Sequence, residues 1–378
     1  MILTDEQILI RDSVRSFARE QLVPYVAERE AKGLIPRDLI RSMGALGLLG
    51  MIVPAEWDGA GADHVSYALA LMEIAAGHGA VATVMSGHNS VGCMPLLRYG
   101  TDEQRDRWLR PMARGEMLSC FCLTEPQSGS DASALRTRAR RTDRGWVLDG
   151  RKQYITSGAI AGIAIVFAVT TPGAGKRGIS AFLVPTATPG YQVVRRERKM
   201  GQHASDTCEI ALDGVEVPED ALLGKVDQGY RIALANLESG RIGIASQALG
   251  MARAALERAT AYARERVAFG KHIIEHQAVA FRLADMLTSL TAAEQLVLHA
   301  AVLRSAGRPC MQEAAMAKLF ATEVAERVCS DAIQTFGGAG YIVESEVERI
   351  YRDVRVTKIY EGTNDIQRLV ISRALAEA

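Results

Sequence analysis

The sequence has no net charge to attract a polyanion, because Lys plus Arg and Asp plus Glu both total 44 in 378 residues. Without an excess of positive charge, the chain has no overall field that would draw in nucleic acid or an anionic membrane surface. We therefore predict neither as a partner. An anionic ligand would have to be held by local groups.

The sequence also lacks long hydrophobic segments. Its longest apolar run, Ala161 to Val169, is far shorter than the ~20 residues that cross a bilayer. The N-terminus is charged from its fifth residue and lacks the apolar core of a secretory signal. These absences predict a cytoplasmic protein that does not enter a membrane.

Cysteine is scarce and scattered. Only Cys120 and Cys122 of the six cysteines lie close together, and they lack the paired Cys-x-x-Cys and His spacing of a zinc site. Residues i and i+2 of a strand share a face, so the two thiols could point the same way. We predict reduced packing residues and no metal site.

What the sequence does have is a change of periodicity along the chain. An amphipathic helix is predicted from Thr4 to Glu30, where Thr4 and Gln7 resemble a capping box, and helical patterns continue to Arg114. Short strands are predicted at 146–148, 163–169, 179–184, 193–195 and 209–212, with Asp-Gly pairs at 149–150 and 213–214 predicted as tight turns. Long Ala-rich helices then occupy 230–266, 275–305 and 311–335.

This order predicts an α+β fold that is mainly α, with three regions. Residues 1–115 form an N-terminal helical domain, 116–225 a middle β-barrel or sandwich, and 226–378 a C-terminal four-helix bundle. A chain of this length can bury enough volume to enclose a cofactor.

Four segments carry residues suited to chemistry. The turn at 121–131 is rich in Ser and Gly, and its backbone N–H groups can bind an anion or the edge of a heterocycle. Tyr154 and Thr156 place an aromatic plane beside a hydroxyl on one predicted strand face. The Gly-rich run at 336–341 follows a helix, so it is no strand-led dinucleotide motif, and we reject a nicotinamide Rossmann fold. An ordinary turn, a surface tyrosine and a helix cap explain the three segments equally well.

The fourth segment, at 359–365, sets Glu361 between Tyr360 and Gly362. A carboxylate pressed against apolar groups has a raised pKa, which makes it a competent base near neutral pH. A loop glutamate without such surroundings is solvated and inert.

In this order and at these separations, the four segments resemble the acyl-CoA dehydrogenase family from about Asp5 to Leu375. The strongest matches are Leu-Thr-Glu-Pro-Gln-Ser-Gly-Ser-Asp at 123–131, Gln-Thr-Phe-Gly-Gly-Ala-Gly-Tyr at 334–341 and Ile-Tyr-Glu-Gly-Thr at 359–363. The stretch 238–246 most resembles the short-chain branch. The resemblance implies three domains, FAD between the β domain and the bundle, and a homo-oligomer, usually a tetramer.

The resemblance also assigns residues. Those implied to contact FAD are Phe121, Leu123, Thr124, Gly129, Ser130, Tyr154, Thr156, Arg266, Phe269, Gln277, Gln334, Gly337, Gly338, Thr363 and Asp365. Of these, Gln334, Gly337 and Gly338 are implied to contribute across a subunit interface. Those implied to line the acyl-CoA channel are Ser130, Glu238, Arg241, Tyr360 and Gly362. Family members often have Asp at the position of Glu238, and many have Trp at that of Tyr154.

The implied reaction is α,β-dehydrogenation of an acyl-CoA thioester to the trans-2-enoyl-CoA. Glu361 would abstract the α proton, flavin N5 would accept the β hydride, and an electron-transfer flavoprotein would receive the electrons. Hydrogen-bond donors must stabilise the developing enolate charge, and the resemblance assigns this to the Glu361 N–H and a flavin hydroxyl. Leu237, Ser239 and Gly240 are small or medium in size, which favours a short or branched acyl group.

Three alternatives remain at this stage. The base could lie on the bundle helix, where Glu238 is the nearest candidate, although Gly240 rather than an acid precedes Arg241. The enzyme could be an oxidase or monooxygenase on the same fold. The chain could also be a non-catalytic helical protein that binds CoA esters.

Overall fold

The computed structural model describes residues 2–235 and 237–377, and its first part is helical. The side chain of Thr4 accepts the N–H of Gln7 at 3.2 Å, and the side chain of Gln7 accepts the N–H of Thr4 at 3.1 Å. This capping box starts the first helix, as predicted. The α-helices are α1 (Asp5–Phe17), α2 (Val26–Lys32), α3 (Arg37–Ala45), α4 (His64–Gly77), α5 (Gly79–Gly87), α6 (Met94–Tyr99), α7 (Asp102–Gln104) and α8 (Arg110–Ala113). Short π-helical segments at Ala18–Leu22, His88–Cys93 and Arg105–Leu109 join some of them.

The middle part is one mixed eight-stranded sheet. Its strands are β1 (Ser119–Cys122), β2 (Arg138–Thr142), β3 (Gly145–Thr156), β4 (Ile163–Val169), β5 (Ile179–Pro185), β6 (Tyr191–Arg196), β7 (Thr207–Val217) and β8 (Leu222–Leu223). The order is β6-β7-β3-β2-β4-β5-β8, and β1 pairs with β4 in parallel.

Strand β4 is buried on both faces, as its continuous apolar sequence predicts. Ile163, Ile165 and Phe167 belong to a core shared with Leu96 and Met112 of the helical part. The alternate side chains of β4 belong to a second core within the sheet region, which also contains Cys120 and Cys122. The two thiols do point the same way, with their sulfur atoms 3.9 Å apart.

One sequence expectation about the sheet is wrong, and one strand was not predicted. The pairs at 149–150 and 213–214 are not turns but lie inside the long strands β3 and β7, where the register shifts between Leu148 and Gly150. The carboxylate of Asp149 accepts the N–H of Gly214 at 2.8 Å. The side chain of Asp149 therefore supplies a hydrogen-bond acceptor at the bulge between the two paired strands. Strand β2 was missed because its Arg-rich sequence buries only Ala139.

The last part is helical again. It contains α9 (Gly229–Leu234), α10 (Leu237–Glu265), the hairpin strands β9 (Val267–Ala268) and β10 (Lys271–His272), α11 (Gln277–Ser305), α12 (Met311–Phe336), α13 (Val347–Val354) and α14 (Asn364–Glu377). Helix α10 packs against α11 and α12 on one side and against α4 of the first part on another. A methyl group added at Gly250 would lie 2.1 Å from the carbonyl oxygen of Met72, so glycine is required for this close packing.

Helix α11 is the one helix in residues 2–235 and 237–377 that is long and apolar enough to cross a membrane by length and composition. Core helices of soluble proteins pass the same test. Its buried side chains, among them Leu283, Met286, Leu290 and Val297, pack in the same core as α10 and α12.

Candidate active site

Glu361 lies in the short loop that joins a 3₁₀ turn at Arg355–Lys358 to helix α14. Its φ is 54°, and the φ of Gly362 is 82°, so two successive residues adopt the left-handed conformation. A side chain with positive φ is uncommon and is retained where the surroundings over-determine it, often at functional sites. Glu361 is one of eight non-glycine residues with a positive φ in the part of the chain that the structure describes.

Helix α10 has no side chain where the carboxylate of Glu361 lies. A methyl group built on Gly240 would lie 2.9 Å from Oε2 and 3.1 Å from Cδ of Glu361. These distances are shorter than ordinary van der Waals contact. Gly240 therefore provides the space that the carboxylate occupies.

Burial and two nearby positive charges have opposite effects on the pKa of Glu361. Burial raises the pKa of Glu361 above its ordinary value, while the positive charges of Arg241 and Lys318 oppose that rise. A carboxylate of raised pKa is a stronger base, because its conjugate acid holds the proton more tightly. The sequence predicted a raised pKa from apolar neighbours, and the two buried cations are an addition.

Two connected cavities meet at Glu361, with volumes of about 800 Å³ and about 240 Å³. Eight residues line both cavities, and they come from the helical part, the sheet and the loop before α14. These are Thr83, Thr124, Gly129, Tyr154, Thr156, Tyr360, Glu361 and Gly362. The cavities therefore lie where all three parts of the chain meet.

The structure brings most of the predicted site residues to these cavities. Eleven of them line one cavity or both: Phe121, Leu123, Thr124, Gly129, Ser130, Tyr154, Thr156, Tyr360, Glu361, Gly362 and Thr363. The others do not line either cavity.

Six of the predicted cofactor residues lie elsewhere, on the last helical part. Phe269 is 96% exposed at the turn of the β9–β10 hairpin, and Arg266 directly precedes that hairpin. Gln277 begins α11, Gln334 lies near the end of α12, and Gly337 and Gly338 follow it. A seventh, Asp365, is exposed and forms an ion pair with Arg368 at 3.4 Å. Within one described chain these residues do not form part of the cavity.

The two predicted substrate residues on α10, Glu238 and Arg241, do not line the cavities. Glu238 pairs with Arg304 at 2.9 Å and accepts the N–H of Cys310 at 3.5 Å. Arg241 is 2% exposed, and its Nε has no hydrogen-bond partner among the described residues. The engagement of Glu238 with Arg304 gives no support to Glu238 as the base. The side chain of Leu237 lies outside what the structure describes.

A buried ion pair holds the Ser- and Gly-rich turn that follows β1. Lys152 is fully buried, and its ammonium donates to Glu125 Oε1 at 2.8 Å and to the carbonyl of Leu123 at 3.2 Å. Glu125 also accepts the N–H groups of Arg136 and Thr137, at 2.6 and 3.0 Å. The sequence did not predict this pair, because a strand lysine 27 residues from its partner gives no local signal.

Tyr154 presents its ring beside this turn. It has a φ of 58° and is 65% exposed, although it lies within β3. The register of β3 against β7 shifts between Lys152 and Ile155, and this irregularity accommodates the left-handed residue. A methyl group added at Gly129 would meet nothing within 4 Å, so the neighbouring turn leaves open space.

A polar network lies beside the smaller cavity, behind Tyr360. The hydroxyl of Tyr360 donates to Gln247 Oε1 at 2.7 Å, and Gln247 Nε2 donates to the carbonyl of Gly79 at 2.9 Å and to Thr83 Oγ1 at 2.5 Å. Thr83 in turn donates to Gln202. Burial raises the pKa of Tyr360 to about 12, so its hydroxyl stays protonated and acts as a donor. Gln247, Thr83 and Gln202 were not among the predicted site residues.

Comparison with known proteins agrees with this architecture. Models of the acyl-CoA dehydrogenase N-terminal, middle and C-terminal domains match residues 4–116, 120–215 and 227–376. The chain belongs to the acyl-CoA dehydrogenase family. An acyl-CoA dehydrogenase of Bacillus subtilis is 49% identical over 375 residues, which are 99% of both chains.

Two solved structures are closely similar. Butyryl-CoA dehydrogenase from Megasphaera elsdenii has a TM-score of 0.97 and 41% identity, over 100% of this chain and 99% of that one. A chain in a structure described as the electron transferring flavoprotein of Acidaminococcus fermentans has a TM-score of 0.98 and 42% identity, over 100% of both chains. The predicted three-part fold and the predicted enzyme class, an oxidoreductase of this flavoprotein family, are confirmed.

Proposed function

We propose that this acyl-CoA dehydrogenase binds FAD in the larger cavity and desaturates a short acyl-CoA thioester to the trans-2-enoyl-CoA, with Glu361 as the base. The observation that carries the proposal is the position of Glu361, where both cavities meet. One cavity would hold the cofactor and the other the acyl chain, so a reacting α carbon would lie between them. When bound, FAD would supply the acceptor for the β hydride.

The residues of the larger cavity fit this cofactor. Tyr154 offers an exposed aromatic surface beside the hydroxyl of Thr156, which suits a flat ring that needs stacking and a hydrogen bond. Arg198, Lys199, Arg352 and Arg355 also line the cavity. Arg352 and Arg355 pair with Glu348 and Glu326, so Arg198 and Lys199 are the cations that offer positive charge to a pyrophosphate. The space beside Gly129 lets a ligand approach the backbone closely.

Glu361 has the properties that α-proton abstraction requires. An α C–H is a very weak acid, so the base must be strong and must lie within about 3–3.5 Å of the reacting atom. Burial strengthens Glu361 as a base, and a bound acyl-CoA that excludes water from the cavity would preserve that effect. We assign the backbone N–H of Glu361 as a donor to the thioester oxygen, where negative charge develops.

The preferred acyl group is short. The smaller cavity has a volume of only about 240 Å³, and the network of Tyr360, Gln247 and Thr83 lies beside it. A longer chain would have to displace buried groups that are already hydrogen-bonded, which is costly. The similarity to a butyryl-CoA dehydrogenase agrees with a four-carbon acyl group.

The decisive test is anaerobic bleaching of the flavin absorbance by acyl-CoA. We expect butyryl-CoA to bleach the wild-type protein faster than octanoyl-CoA, and palmitoyl-CoA to be slowest. The variant Glu361→Gln should bind flavin but should not bleach. Fast bleaching of Glu361→Gln would place the base elsewhere, and a preference for palmitoyl-CoA would reject the short-chain assignment.

An electron-transfer flavoprotein is the proposed electron acceptor. The similarity to a chain in a structure described as an electron transferring flavoprotein supports this choice. An oxidase on the same fold would instead pass electrons to oxygen. Oxygen consumption during butyryl-CoA turnover, measured beside reduction of an added electron-transfer flavoprotein, separates the two acceptors.

A homotetramer is the proposed assembly. The predicted cofactor residues Arg266, Phe269, Gln277 and Gln334 lie away from the cavity of their own chain, so they could reach FAD only in another copy. The exposed apolar side chains Phe281 and Leu287 of α11, 62% and 59% exposed, offer a surface for such a copy.

A further inference from the structure

We propose that Lys318 is a positioning residue for Glu361: its buried ammonium fixes the Gly362–Thr363 peptide beside the base and supplies a positive charge that favours the ionised carboxylate. This inference rests on the proposed role of Glu361. Lys318 lies on the face of α12 that also carries the buried residues Ala314, Ala321 and Ala325.

The burial of Lys318 costs free energy, because its charged ammonium is removed from water. The residue is fully buried, although lysine is almost never fully buried unless it is paired. Among residues 2–235 and 237–377, no carboxylate forms a direct ion pair with its ammonium. Its partners are instead the carbonyl oxygen of Gly362 and Oδ1 of Asn364, each at 2.9 Å.

These contacts fix the loop on the C-terminal side of the base. The carbonyl of Gly362 accepts from Lys318 and also from Gln367 Nε2 at 2.8 Å, and the carbonyl of Glu361 accepts from Gln367 at 3.4 Å. Because a peptide group is planar, fixing its carbonyl also fixes its N–H. Lys318 and Gln367 therefore hold the two peptides that follow Glu361. Both Glu361 and Gly362 have a positive φ in this loop.

Asn364 extends the anchor into α12. Its Nδ2 donates to Thr322 Oγ1 at 3.1 Å, and Thr322 donates to the carbonyl of Lys318 at 2.8 Å. Thr322 lies one helical turn after Lys318, so one face of α12 holds the start of α14. A side chain that served packing alone would not need an ammonium at this position.

The charges around Lys318 come from three other elements. Glu361 in the loop favours the charged ammonium, while Arg241 on α10 and Lys358 in the 3₁₀ turn disfavour it. Burial is the largest effect, and together these lower the pKa of Lys318 to about 7. In return, Lys318 and Arg241 lower the pKa of Glu361 against its burial. Below about pH 7 the ammonium is charged and supports ionisation of Glu361.

The first test replaces Lys318 by Met, which has a similar length and suits a buried helix. Loss of the charge should raise the pKa of Glu361 further. The rising limb of flavin reduction by butyryl-CoA should move to higher pH by about one unit, which is a tenfold lower rate on that limb. Thr322→Val is the matched control, because it perturbs the same buried network without removing a charge, and its midpoint should equal that of wild type.

The second test needs neither flavin nor turnover. The ¹⁵N resonance of the Lys318 ammonium, assigned by its absence from Lys318→Arg, is titrated in wild type and in Glu361→Gln. Because the charge of Glu361 raises the pKa of Lys318, the midpoint should fall in Glu361→Gln. This arm decides the matter even if Lys318→Met fails to fold.

Either of two results would overturn the inference: an unchanged Lys318 midpoint in Glu361→Gln, or a Lys318→Met rate profile with the wild-type midpoint. Failure of the proposed function gives a different pattern. In that case no acyl-CoA bleaches the wild-type flavin, while the titration still reports whether Lys318 and Glu361 interact.

Discussion

At the scale of single residues, the absence of a side chain at Gly240 of α10 leaves the space in which the carboxylate of Glu361 lies. The three atoms nearest to a methyl group at this position all belong to the carboxylate of Glu361, the end of a side chain that can move. We predict that Gly240→Ala keeps or slightly raises the free energy of unfolding, since Ala in a helix gains about 0.5–1 kcal/mol over Gly. The displaced carboxylate should lower the rate of flavin reduction by about tenfold to 100-fold. Urea unfolding and anaerobic flavin reduction measure the two effects separately.

Gly250 is the matched control for this prediction, because it lies on the same helix. An added methyl group there would meet a backbone carbonyl that cannot move aside. Gly250→Ala should therefore destabilise the protein, the reverse of Gly240→Ala. A Gly240→Ala enzyme with the wild-type rate would show that the carboxylate does not need this space.

The sequence predicted Glu361 but not the residues that control it. Glu361 was found because it lies in a short segment that also contains Tyr360, Gly362 and Thr363. Lys318 and Gln247 lie 43 and 114 residues before it on helices, where a polar residue normally faces water. Their burial depends on how α10 and α12 pack against the loop, which local sequence does not encode.

At the scale of elements, the turn after β1 depends on the buried pair of Glu125 and Lys152. Removing one partner leaves an uncompensated buried charge, so Glu125→Gln should lower the free energy of unfolding by about 3–5 kcal/mol. The turn that lines the larger cavity should lose order, and the variant should release flavin more readily. Chemical denaturation and flavin retention on dilution measure these effects. Glu219→Gln, which breaks only the exposed pair with Arg141, is the control and should change neither.

Element prediction from sequence was most accurate where one periodicity dominates. Strand β4 was predicted with its observed bounds because its apolar run is uninterrupted. The bulge in β3 was mistaken for a turn because Asp-Gly pairs occur in both settings. Whether an Asp-Gly pair forms a turn or a bulge depends here on the pairing of β3 with β7, which joins residues about 60 positions apart in the sequence.

At the scale of the whole molecule, Glu30 links parts of the chain that are distant in sequence. Its carboxylate bonds His78 Nε2 at 2.9 Å and accepts the N–H groups of His203 and Ala204, at 2.8 and 3.1 Å. Burial alone would raise the pKa of Glu30, but these partners outweigh it and lower the pKa to about 2. The ionised carboxylate therefore stabilises the folded chain.

We predict that Glu30→Gln lowers the free energy of unfolding by about 2–3 kcal/mol at neutral pH. A lowered pKa gives stability that is present above the unfolded value of 4.5 and is lost as the pH falls towards about 2. The difference between wild type and variant should thus shrink below about pH 4.5, which urea unfolding at several pH values can follow. Glu28→Gln on the same helix breaks only an exposed pair with Lys32 and should leave stability nearly unchanged. A pH-independent difference would assign the role of Glu30 to packing.

The proposed homotetramer assigns a function to Phe269 at the turn of the exposed β9–β10 hairpin, namely contact with FAD of another copy. This assignment can be tested. Phe269 is 96% exposed and lies outside the cavities of its own chain. If it contacts FAD of another copy, Phe269→Glu should weaken both assembly and flavin binding while every cavity residue stays intact. Sedimentation velocity and the flavin-to-protein ratio measure the two effects. Leu9→Glu, at a 70% exposed position on α1, is the control and should keep both. A wild-type monomer that retains flavin would contradict the proposal, because the cofactor would then need no second chain.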